Sequence, residues 1–342
     1  MSFLFADMGG TNVRFGYSKT KNSSIIFKEI YKVIDFPTIE DAIKLYCSNY
    51  SISPQTLSFC VAAPTNKNSI IFTNNHWTMK KDVLRDALGS KNILCINDFT
   101  AQALSQTPYF KSGSDKKIPD LTTSSTSFIK KFSDGSPDQA SPIFVIGPGT
   151  GLGASTLVCI DDTFKALQAE GGHTHFSPTS EIELELLIWL QKKLGPVSTE
   201  NVISGSGLEN IYQFLSCQQS KPDGSKIRAE RIGALALKGD PRSLEAVNVM
   251  MGALGTATAN GVLTTGSFRG AIICGGIIPK LSKLLSKSPF YKKFIYNKPS
   301  YSNLLRQVPI YISNDPFSGL KGCQQAFQNK FLKSEINRFS YD

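Results

Sequence analysis

The sequence predicts an α/β protein with two domains. Its 342 residues exceed the length of about 250–300 residues at which a single hydrophobic core usually stops growing. Strand-like and helix-like segments alternate through the first hundred residues, which is typical of an α/β domain. An apolar strand, a glycine-rich turn and a second strand occur once in each half of the chain. This repetition indicates two duplicated α/β units that face each other.

The first hundred residues open with a β-meander. Apolar and β-branched runs predict strands over Phe3–Ala6, Val13–Ser18, Ser24–Val33, Thr56–Ala63, Ser69–Thr73 and Asn92–Asn97. Helices are predicted over Ile39–Asn49 and Met79–Leu88. Pro37 and Thr38, followed by acidic residues, are typical of a helix start.

The second half begins after a polar segment. Residues 111–142 are poor in apolar side chains and rich in Ser, Lys, Asp and Pro, so we expect a long, mobile surface insertion there. Strands are then predicted over Ile143–Ile146, Ala154–Ile160, Ala271–Cys274 and Pro309–Ile312. Helices are predicted over Glu181–Leu194, Leu208–Cys217, Ala229–Lys238, Leu244–Leu263 and Leu320–Phe331.

Charge and cysteine usage argue against several classes of protein. The net charge is +10, but the lysines occur as scattered pairs without an arginine-rich arm, so we expect a solvated surface and no nucleic-acid partner. The sequence has no run of eighteen apolar residues and no basic segment before the apolar N-terminal stretch, so we expect neither a membrane span nor a secretory signal. Seven dispersed cysteines without a CxxC pair predict reduced thiols and a cytoplasmic location.

Two glycine-rich turns carry the clearest chemical signal. The first is DMGGTN at Asp7–Asn12 and the second is GPGTGLG at Gly147–Gly153. Neither contains the Gly-Lys-Ser/Thr of a Walker A loop. The second has alternating glycines and runs into a strand, so it also lacks the spacing and the helix of a dinucleotide fingerprint. Each turn therefore lies between two strands, at the tip of a hairpin.

Such tips are suited to binding phosphate. Backbone N–H groups converge on a phosphate when no Cβ intervenes, and each tip pairs Thr with Gly. Asp7 would repel a phosphate unless a cation lies between them, so we expect it to face a hydrated Mg²⁺. The alternative is that both segments are tight β-turns without a ligand.

The sequence also resembles a known family. DMGGTN, INDFTA at Ile96–Ala101, GPGTGLG, EGGHTHFSP at Glu170–Pro178, SGSGLENIY at Ser204–Tyr212 and GGIIPK at Gly275–Lys280 are similar, in order, to motifs of the bacterial-type glucokinases. The resemblance spans nearly the whole chain. It implies the two-domain hexokinase fold of the actin-like ATPases (ribonuclease H-like), with a sugar cleft between the domains. The cysteine-rich zinc motif of the related ROK kinases is absent near His173.

The resemblance implies domain limits and ligands. A small α/β domain would comprise residues 1–108 and 314–342, and a larger one residues 109–313. The substrates would be glucose and Mg-ATP, and the protein would be a homodimer. The implied ATP-binding residues are Ala6, Asp7, Met8, Gly9, Gly10, Thr11, Gly149, Thr150, Gly151, Gly275 and Gly276, with Asp7 on the water shell of Mg²⁺. The implied sugar-binding residues are Asn97, Asp98, Glu170, His173 and Glu200, with Asp98 as the catalytic base.

These residue types fit a sugar site, although each has a plainer interpretation. A sugar offers hydroxyl donors and acceptors, so its pocket needs carboxylates, amides and imidazole. Asp98 could instead cap the helix that begins at Phe99. His173 could lie in an exposed turn, and Glu200 could occupy the first turn of a helix. His175 receives no role.

The sequence therefore predicts an ATP-dependent kinase that phosphorylates the 6-hydroxyl of D-glucose. Two alternatives remain open: a kinase for another hexose or an N-acetylhexosamine, and a sugar-responsive binding protein without turnover. The first alternative shares every phosphate-binding residue. Asp7 and Asp98, with no helix-turn-helix extension, argue against the second.

Overall fold

The computed structural model describes residues 1–72, 75–111, 114–217, 227–297 and 299–339. The chain divides into two compact units. The first unit comprises Met1–Lys116, Cys159–Gln168 and Pro316–Asp342, and the second comprises Lys117–Val158 and Ala169–Asp315. The domain limits from sequence, at 108/109 and 313/314, stay a prediction, and they did not separate Cys159–Gln168 from the residues around it.

The strands are numbered in chain order. They are Phe3–Met8 (β1), Asn12–Ser18 (β2), Ile26–Lys32 (β3), Thr56–Val61 (β4), Ser69–Ile71 (β5), Thr78–Lys80 (β6), Asn92–Asn97 (β7), Ile129–Ser133 (β8), Ile143–Pro148 (β9), Leu152–Ile160 (β10), Thr163–Leu167 (β11), Gly270–Ile273 (β12) and Ile310–Ser313 (β13).

The α-helices follow the same order. They are Ile39–Asn49 (α1), Lys81–Ala87 (α2), Asp98–Leu104 (α3), Glu181–Leu194 (α4), Gly205–Cys217 (α5), Ala229–Leu237 (α6), Pro241–Thr265 (α7), Ser282–Leu285 (α8), Phe290–Ile295 (α9), Ser302–Arg306 (α10) and Ser318–Gln328 (α11). Short 3₁₀ turns include Gly171–His173 and Thr199–Asn201.

The sheet of the first unit has the strand order β3-β2-β1-β4-β7. Strands β1, β2 and β3 form an antiparallel meander, and β4 and β7 then pair parallel to β1. Strands β1 and β4 are buried along nearly their whole length, which explains their largely apolar sequences. The predicted α/β unit with an opening meander is confirmed.

The second unit repeats this arrangement. Its strands lie in the order β10-β9-β12-β13-β8. The β9–β10 hairpin is antiparallel, while β12 pairs parallel with both β9 and β13. Each unit thus joins an antiparallel hairpin to two parallel strands, as the two similar halves of the sequence predicted. Both glycine-rich turns lie between paired strands, so the hairpin interpretation is also confirmed.

Helix α7 is the central helix of the second unit. By length and composition it could span a membrane, yet 72% of its most apolar window is buried inside the protein. Its buried face, which includes Met250, Met251 and Leu254, belongs to the same apolar cluster as the inward residues of β9 and β12. Burial against other parts of the protein therefore explains its apolar composition.

Three local predictions were wrong. The segment 111–142 contains β8, which pairs antiparallel with β13 and buries Ile129. Met79 lies in β6 and pairs with Ile70, so the helix after it begins only at Lys81. The predicted strand from Ser69 ends at Ile71, and its last residue, Thr73, lies outside the described residues.

Helix α11 packs closely on α3 within the first unit. A Cβ placed on Gly322 would overlap the main-chain carbonyl of Ala101, so only glycine allows this approach. The backbone of Ala101 is fixed by the helix that begins at Asp98. The packing of α11 therefore depends on a position without a side chain.

We expect Gly322→Ala to reduce the free energy of unfolding by on the order of 1–3 kcal/mol, because the added methyl forces α11 away from α3. Thermal denaturation followed by circular dichroism would measure the change. Gln325→Ala on the same helix is the matched control. An unchanged melting temperature in Gly322→Ala would contradict the close approach.

Candidate active site

The first hairpin turn joins β1 and β2. The Gly9 N–H donates to the Asn12 carbonyl at 3.0 Å and closes the turn. The antiparallel register places Asp7 directly opposite Arg14. Gly10 and Thr11 lie at the tip, where their N–H groups make no ladder hydrogen bond in the described structure. This is the backbone geometry that an anion-binding turn needs.

Asp7 lies in a largely enclosed position. Its side chain is 21% exposed, and its carboxylate accepts a hydrogen bond from Arg14 Nη1 at 3.2 Å. The Cys60 thiol, on the neighbouring strand β4, donates to Asp7 Oδ1 at 3.6 Å. Burial raises the pKa of Asp7, and Arg14 and Cys60 oppose this effect. Arg14 therefore offsets only part of the cost of placing a carboxylate here.

Asn75 holds the same turn from a separate loop. Its Nδ2 donates to the Gly9 carbonyl at 3.1 Å, and its Oδ1 accepts from the Trp77 N–H at 2.8 Å. Trp77 is buried, and its Nε1 donates to the Phe36 carbonyl. The orientation of the first turn is thus supported by a side chain that the sequence motifs did not include.

Asn97 and Asp98 follow β7 at the same edge of the sheet. Strands β1, β4 and β7 are parallel, and their registers align Met8 with Val61 and Val61 with Asn97. The carboxyl ends of parallel strands meet at one edge, so Asp7 and Asp98 converge there. Both carboxylates contribute to raising the pKa of the buried Cys60 thiol, after its hydrogen bond to Cys323 and its burial.

Asn97, and not Asp98, caps helix α3. Its Oδ1 accepts from the N–H groups of Phe99 and Thr100 at 2.9 and 3.0 Å. Asp98 is the first helical residue, and its Oδ1 accepts from the Phe99 N–H at 2.8 Å. The capping alternative for Asp98 is therefore wrong, and a carboxylate that need not cap the helix lies at its N-terminus.

The second hairpin turn lies in the second unit, between β9 and β10. The Gly149 N–H donates to the Gly151 carbonyl at 2.8 Å, and the Gly149 carbonyl accepts from the Gly205 N–H at 2.9 Å. Gly275 follows β12 with φ of +83°, and a Cβ there would lie 2.5 Å from the Pro148 carbonyl. The structure therefore brings the predicted second phosphate turn and the predicted adenosine glycines together.

Glu200 lies against this turn. It belongs to the 3₁₀ turn Thr199–Asn201, and its Oε2 accepts from the Leu152 N–H at 2.7 Å. Its carboxylate also contacts Gly151. Glu200 does lie in the first turn of a short helix, as the plainer interpretation of the sequence held. Its carboxylate accepts a hydrogen bond from another segment and not from its own helix.

Glu170 and His173 lie in a single exposed turn. Glu170 Oε2 and His173 Nε2 are 3.9 Å apart, and their side chains are 72% and 60% exposed. The Thr174 carbonyl accepts from the Thr199 N–H at 2.8 Å, which places this turn beside the turn that carries Glu200. Three of the predicted sugar-binding residues are therefore close together in the second unit.

A buried ion pair anchors the far end of this loop. Glu183 is 2% exposed, and its Oε2 accepts from Lys293 Nζ at 3.0 Å. The same oxygen accepts from the N–H and the hydroxyl of Thr179, at 2.7 and 3.0 Å. Thr179 follows the segment EGGHTHFSP directly, so the ion pair fixes where that segment ends.

No cluster of three His, Cys, Asp or Glu side chains able to hold a metal is found in the described ranges. Asp7 lies near the end of β1 and supplies one carboxylate beside the first turn. This donor set fits Mg²⁺, which usually keeps several waters and is held by one or two carboxylates and substrate phosphates.

Comparisons with known proteins give matches along nearly the whole chain. The Glucokinase family model matches residues 4–330. The chain belongs to the glucokinase family. Within this family, it is 33% identical to a glucokinase of Neisseria meningitidis serogroup C, over 95% of this chain and 94% of the relative. It is also 33% identical to the glucokinase of Helicobacter acinonychis, over 97% of both chains.

A solved glucokinase shares the fold. The crystal structure of a glucokinase from an Antarctic psychrotroph superposes with a TM-score of 0.78 at 28% identity, over 96% of this chain and 98% of the other. This likeness confirms the predicted two-domain actin-like kinase fold of the glucokinase family.

We expect Asp7→Asn to be no less stable than the parent protein at pH 8. Because the folded-state pKa of Asp7 is raised, the ionised form opposes folding, and stability is lost as pH rises through that pKa. The amide does not titrate, so the difference in melting temperature should grow from pH 4 to pH 8, to about 1–3 °C. Differential scanning calorimetry without Mg²⁺ would measure it. A variant that is less stable at pH 8 than at pH 4, relative to the parent, contradicts this reading.

The Glu183–Lys293 pair should respond asymmetrically to mutation. Lys293→Met leaves Glu183 as a buried charge without its counter-ion and should cost about 3 kcal/mol. Glu183→Gln should cost less, because the Lys293 side chain is 21% exposed and can reach water. Urea denaturation gives both values, with the surface variant Lys193→Met as control. Equal losses would show that burial of Glu183 does not dominate.

Proposed function

We propose that this protein transfers the γ-phosphoryl group of Mg-ATP to the 6-hydroxyl of D-glucose, giving glucose 6-phosphate and ADP. The observation that carries the proposal is the convergence of Asp7 and Asp98 at one edge of a parallel sheet, beside a glycine turn with free N–H groups. Membership of the glucokinase family supports the substrates.

The backbone turns bind the nucleotide in this proposal. Within the turns Ala6–Thr11 and Gly149–Gly151, the N–H groups of Gly10, Thr11, Thr150 and Gly151 are directed toward phosphate oxygens, and the absence of side chains at the glycines allows close approach. Gly275 and Gly276, which adjoin the second turn, lie under the adenosine. Asn75 and Arg14 keep the first turn and Asp7 in place.

Asp7 orients the metal of the Mg-ATP substrate through water. Bound Mg²⁺ supplies neutralisation of phosphate charge during transfer. The enclosed position of Asp7 suits this role, because a nearby divalent cation favours the ionised carboxylate that burial alone disfavours. The Arg14 guanidinium keeps the carboxylate oriented before the substrate arrives.

Asp98 acts as the general base. Phosphoryl transfer proceeds through a loose transition state, so it needs alignment of the attacking hydroxyl more than early removal of its proton. Asp98 accepts a hydrogen bond from the 6-hydroxyl, aligns its oxygen and takes the proton late in the step. One oxygen, Oδ1, is held by the Phe99 N–H, which fixes the direction of the other.

The remaining sugar hydroxyls are bound by four further polar side chains in this proposal. Asn97 keeps its amide N–H donors available, because its Oδ1 caps helix α3. Glu170, His173 and Glu200 supply acceptors and an imidazole from adjoining turns. The homodimer implied by the family resemblance and the cytoplasmic location predicted from the cysteines stay predictions.

We expect Asp98→Asn to lower kcat by on the order of 10²–10⁴ while the protein remains folded, because the amide cannot accept the proton. A coupled assay for ADP would measure turnover, and circular dichroism would check folding. Asp162→Asn, at an exposed turn, is the matched control. Turnover of Asp98→Asn within threefold of the parent would remove Asp98 as the base.

Sugar specificity should be measured side by side. Sugar-dependent ADP release from Mg-ATP is compared for glucose, mannose, fructose and N-acetylhexosamines, and we expect the highest kcat/KM with glucose. Turnover on another sugar alone would keep the mechanism and change the substrate. ATP binding without turnover on any sugar would favour the binding-protein alternative.

A further inference from the structure

A cavity of about 480 Å³ lies inside the second unit. It is lined by α7, by the β9–β10 hairpin and by the segment from Ala169 to Ser177, and it is partly open to solvent. Its volume falls in the range of pockets that hold small organic molecules. The described residues that line it include none of those proposed above to bind sugar or nucleotide. Some of the lining residues do lie in the same loops as the proposed sugar-binding residues.

The cavity has an apolar floor and a hydroxyl-rich wall. Phe144, Ile146 and Ala257 contribute to the floor. Thr156, Thr256 and other Thr and Ser residues form much of the wall. No Lys, Arg, Asp or Glu is among the described residues that line it. His175 is the one lining side chain among the described residues that can become a cation, so the lining disfavours phosphates, nucleotides and carboxylates, whose charge it would leave largely unpaired.

Thr156 provides the second observation. It is 6% exposed and lies opposite Phe144 in the β9–β10 ladder. No hydrogen bond joins this hydroxyl to another described residue, and its oxygen stays accessible from the cavity that the residue lines. Hydroxyl groups in protein interiors are usually paired with protein, water or a ligand. A polar atom of a ligand would satisfy this hydroxyl.

The cavity also adjoins the loops of the proposed sugar site. Gly171 and Thr174 line it and flank His173 in sequence. Thr199 lines it and precedes Glu200. Thr199 is hydrogen-bonded to Thr174, so the two loops form one connected wall. A molecule in the cavity would therefore contact the backbone that positions the proposed sugar-binding side chains.

We propose that this cavity binds a small uncharged molecule with an apolar ring or chain and one hydroxyl or carbonyl group. The polar group pairs with Thr156, and the apolar part packs on Phe144 and Ala257. Occupancy of the cavity changes the affinity for sugar through the shared wall. The effect on sugar rests on the proposed function, whereas binding in the cavity does not.

The experiment uses 2-naphthol as the probe, an apolar bicycle with one hydroxyl group. Its binding to the whole protein is followed by isothermal titration in the presence of saturating glucose and AMPPNP, so that those sites are filled. Naphthalene, which lacks the hydroxyl, and naphthalene-2-sulfonate, which is charged, are the matched ligands. We expect saturable binding of 2-naphthol with Kd below about 1 mM and no binding of the sulfonate.

Two variants locate the site. Thr156→Val keeps the shape of the side chain and should weaken 2-naphthol binding about fivefold while leaving naphthalene unchanged. Ala257→Trp fills the cavity and should abolish binding of both neutral probes. Ala234→Trp, on the exposed face of α6, is the control. Absence of saturable binding to the parent, or equal binding to Ala257→Trp, overturns the proposal.

Coupling to the sugar site has its own measurement. At saturating 2-naphthol, the KM for glucose should change at least twofold in the parent protein and should not change in Ala257→Trp. An unchanged KM in an active parent would overturn the coupling. A chain that turns over no sugar but still binds 2-naphthol would overturn the proposed function and leave the cavity site standing.

Discussion

The ion pair between Asp7 and Arg14 is the interaction on which the proposed site of the first unit depends. Phosphate transfer requires a carboxylate beside a turn built for anions, and that carboxylate must stay ionised although burial raises its pKa. Arg14 meets this need from the opposite strand of the hairpin, where the register places it directly across. Helix α11 leaves room at Gly319, where a Cβ would lie 2.5 Å from Asp7 Cγ. Helix α11, strands β1 and β2 and the turn between them thus all pack around the Asp7 carboxylate.

Three polar side chains in this protein are buried to different degrees and differ in their hydrogen-bond partners. Asp7 is partly exposed, and in the proposed function its carboxylate faces the metal of Mg-ATP, which connects its energetic cost with that role. Glu183 is nearly inaccessible and fully engaged by Lys293 and Thr179, so it organises the backbone and has no access to a ligand. Thr156 is a third case, because its hydroxyl has no hydrogen bond to another described residue and opens onto the cavity. The number of satisfied hydrogen bonds, more than burial itself, distinguishes structural from ligand-binding groups.

Much of the fold and part of the site could be predicted from the sequence. Apolar runs and glycine turns located both hairpins and most of the strands, because these signals are local. Arg14 was missed. Asp7 and Arg14 lie equally far from the centre of the turn, so the register of the hairpin would have revealed that they are paired. Asn75, Lys293 and strand β8 could not be found this way, since their roles arise from tertiary contacts with residues distant in the chain. The tested fold and family are confirmed, while the roles of the individual residues stay proposals.

The first unit is completed by residues from the far end of the sequence. Helix α11 packs on α3, and its Cys323 and Ser318 side chains bond to Ala6 and Gln102. A chain emerging from the ribosome therefore cannot finish this unit until α11 has been synthesised. The second unit, whose last residue is Asp315, has all its residues available earlier. Synthesis order thus favours folding of the second unit first. Strands β1, β4 and β7 remain in the nascent chain without helix α11 until that helix has been synthesised.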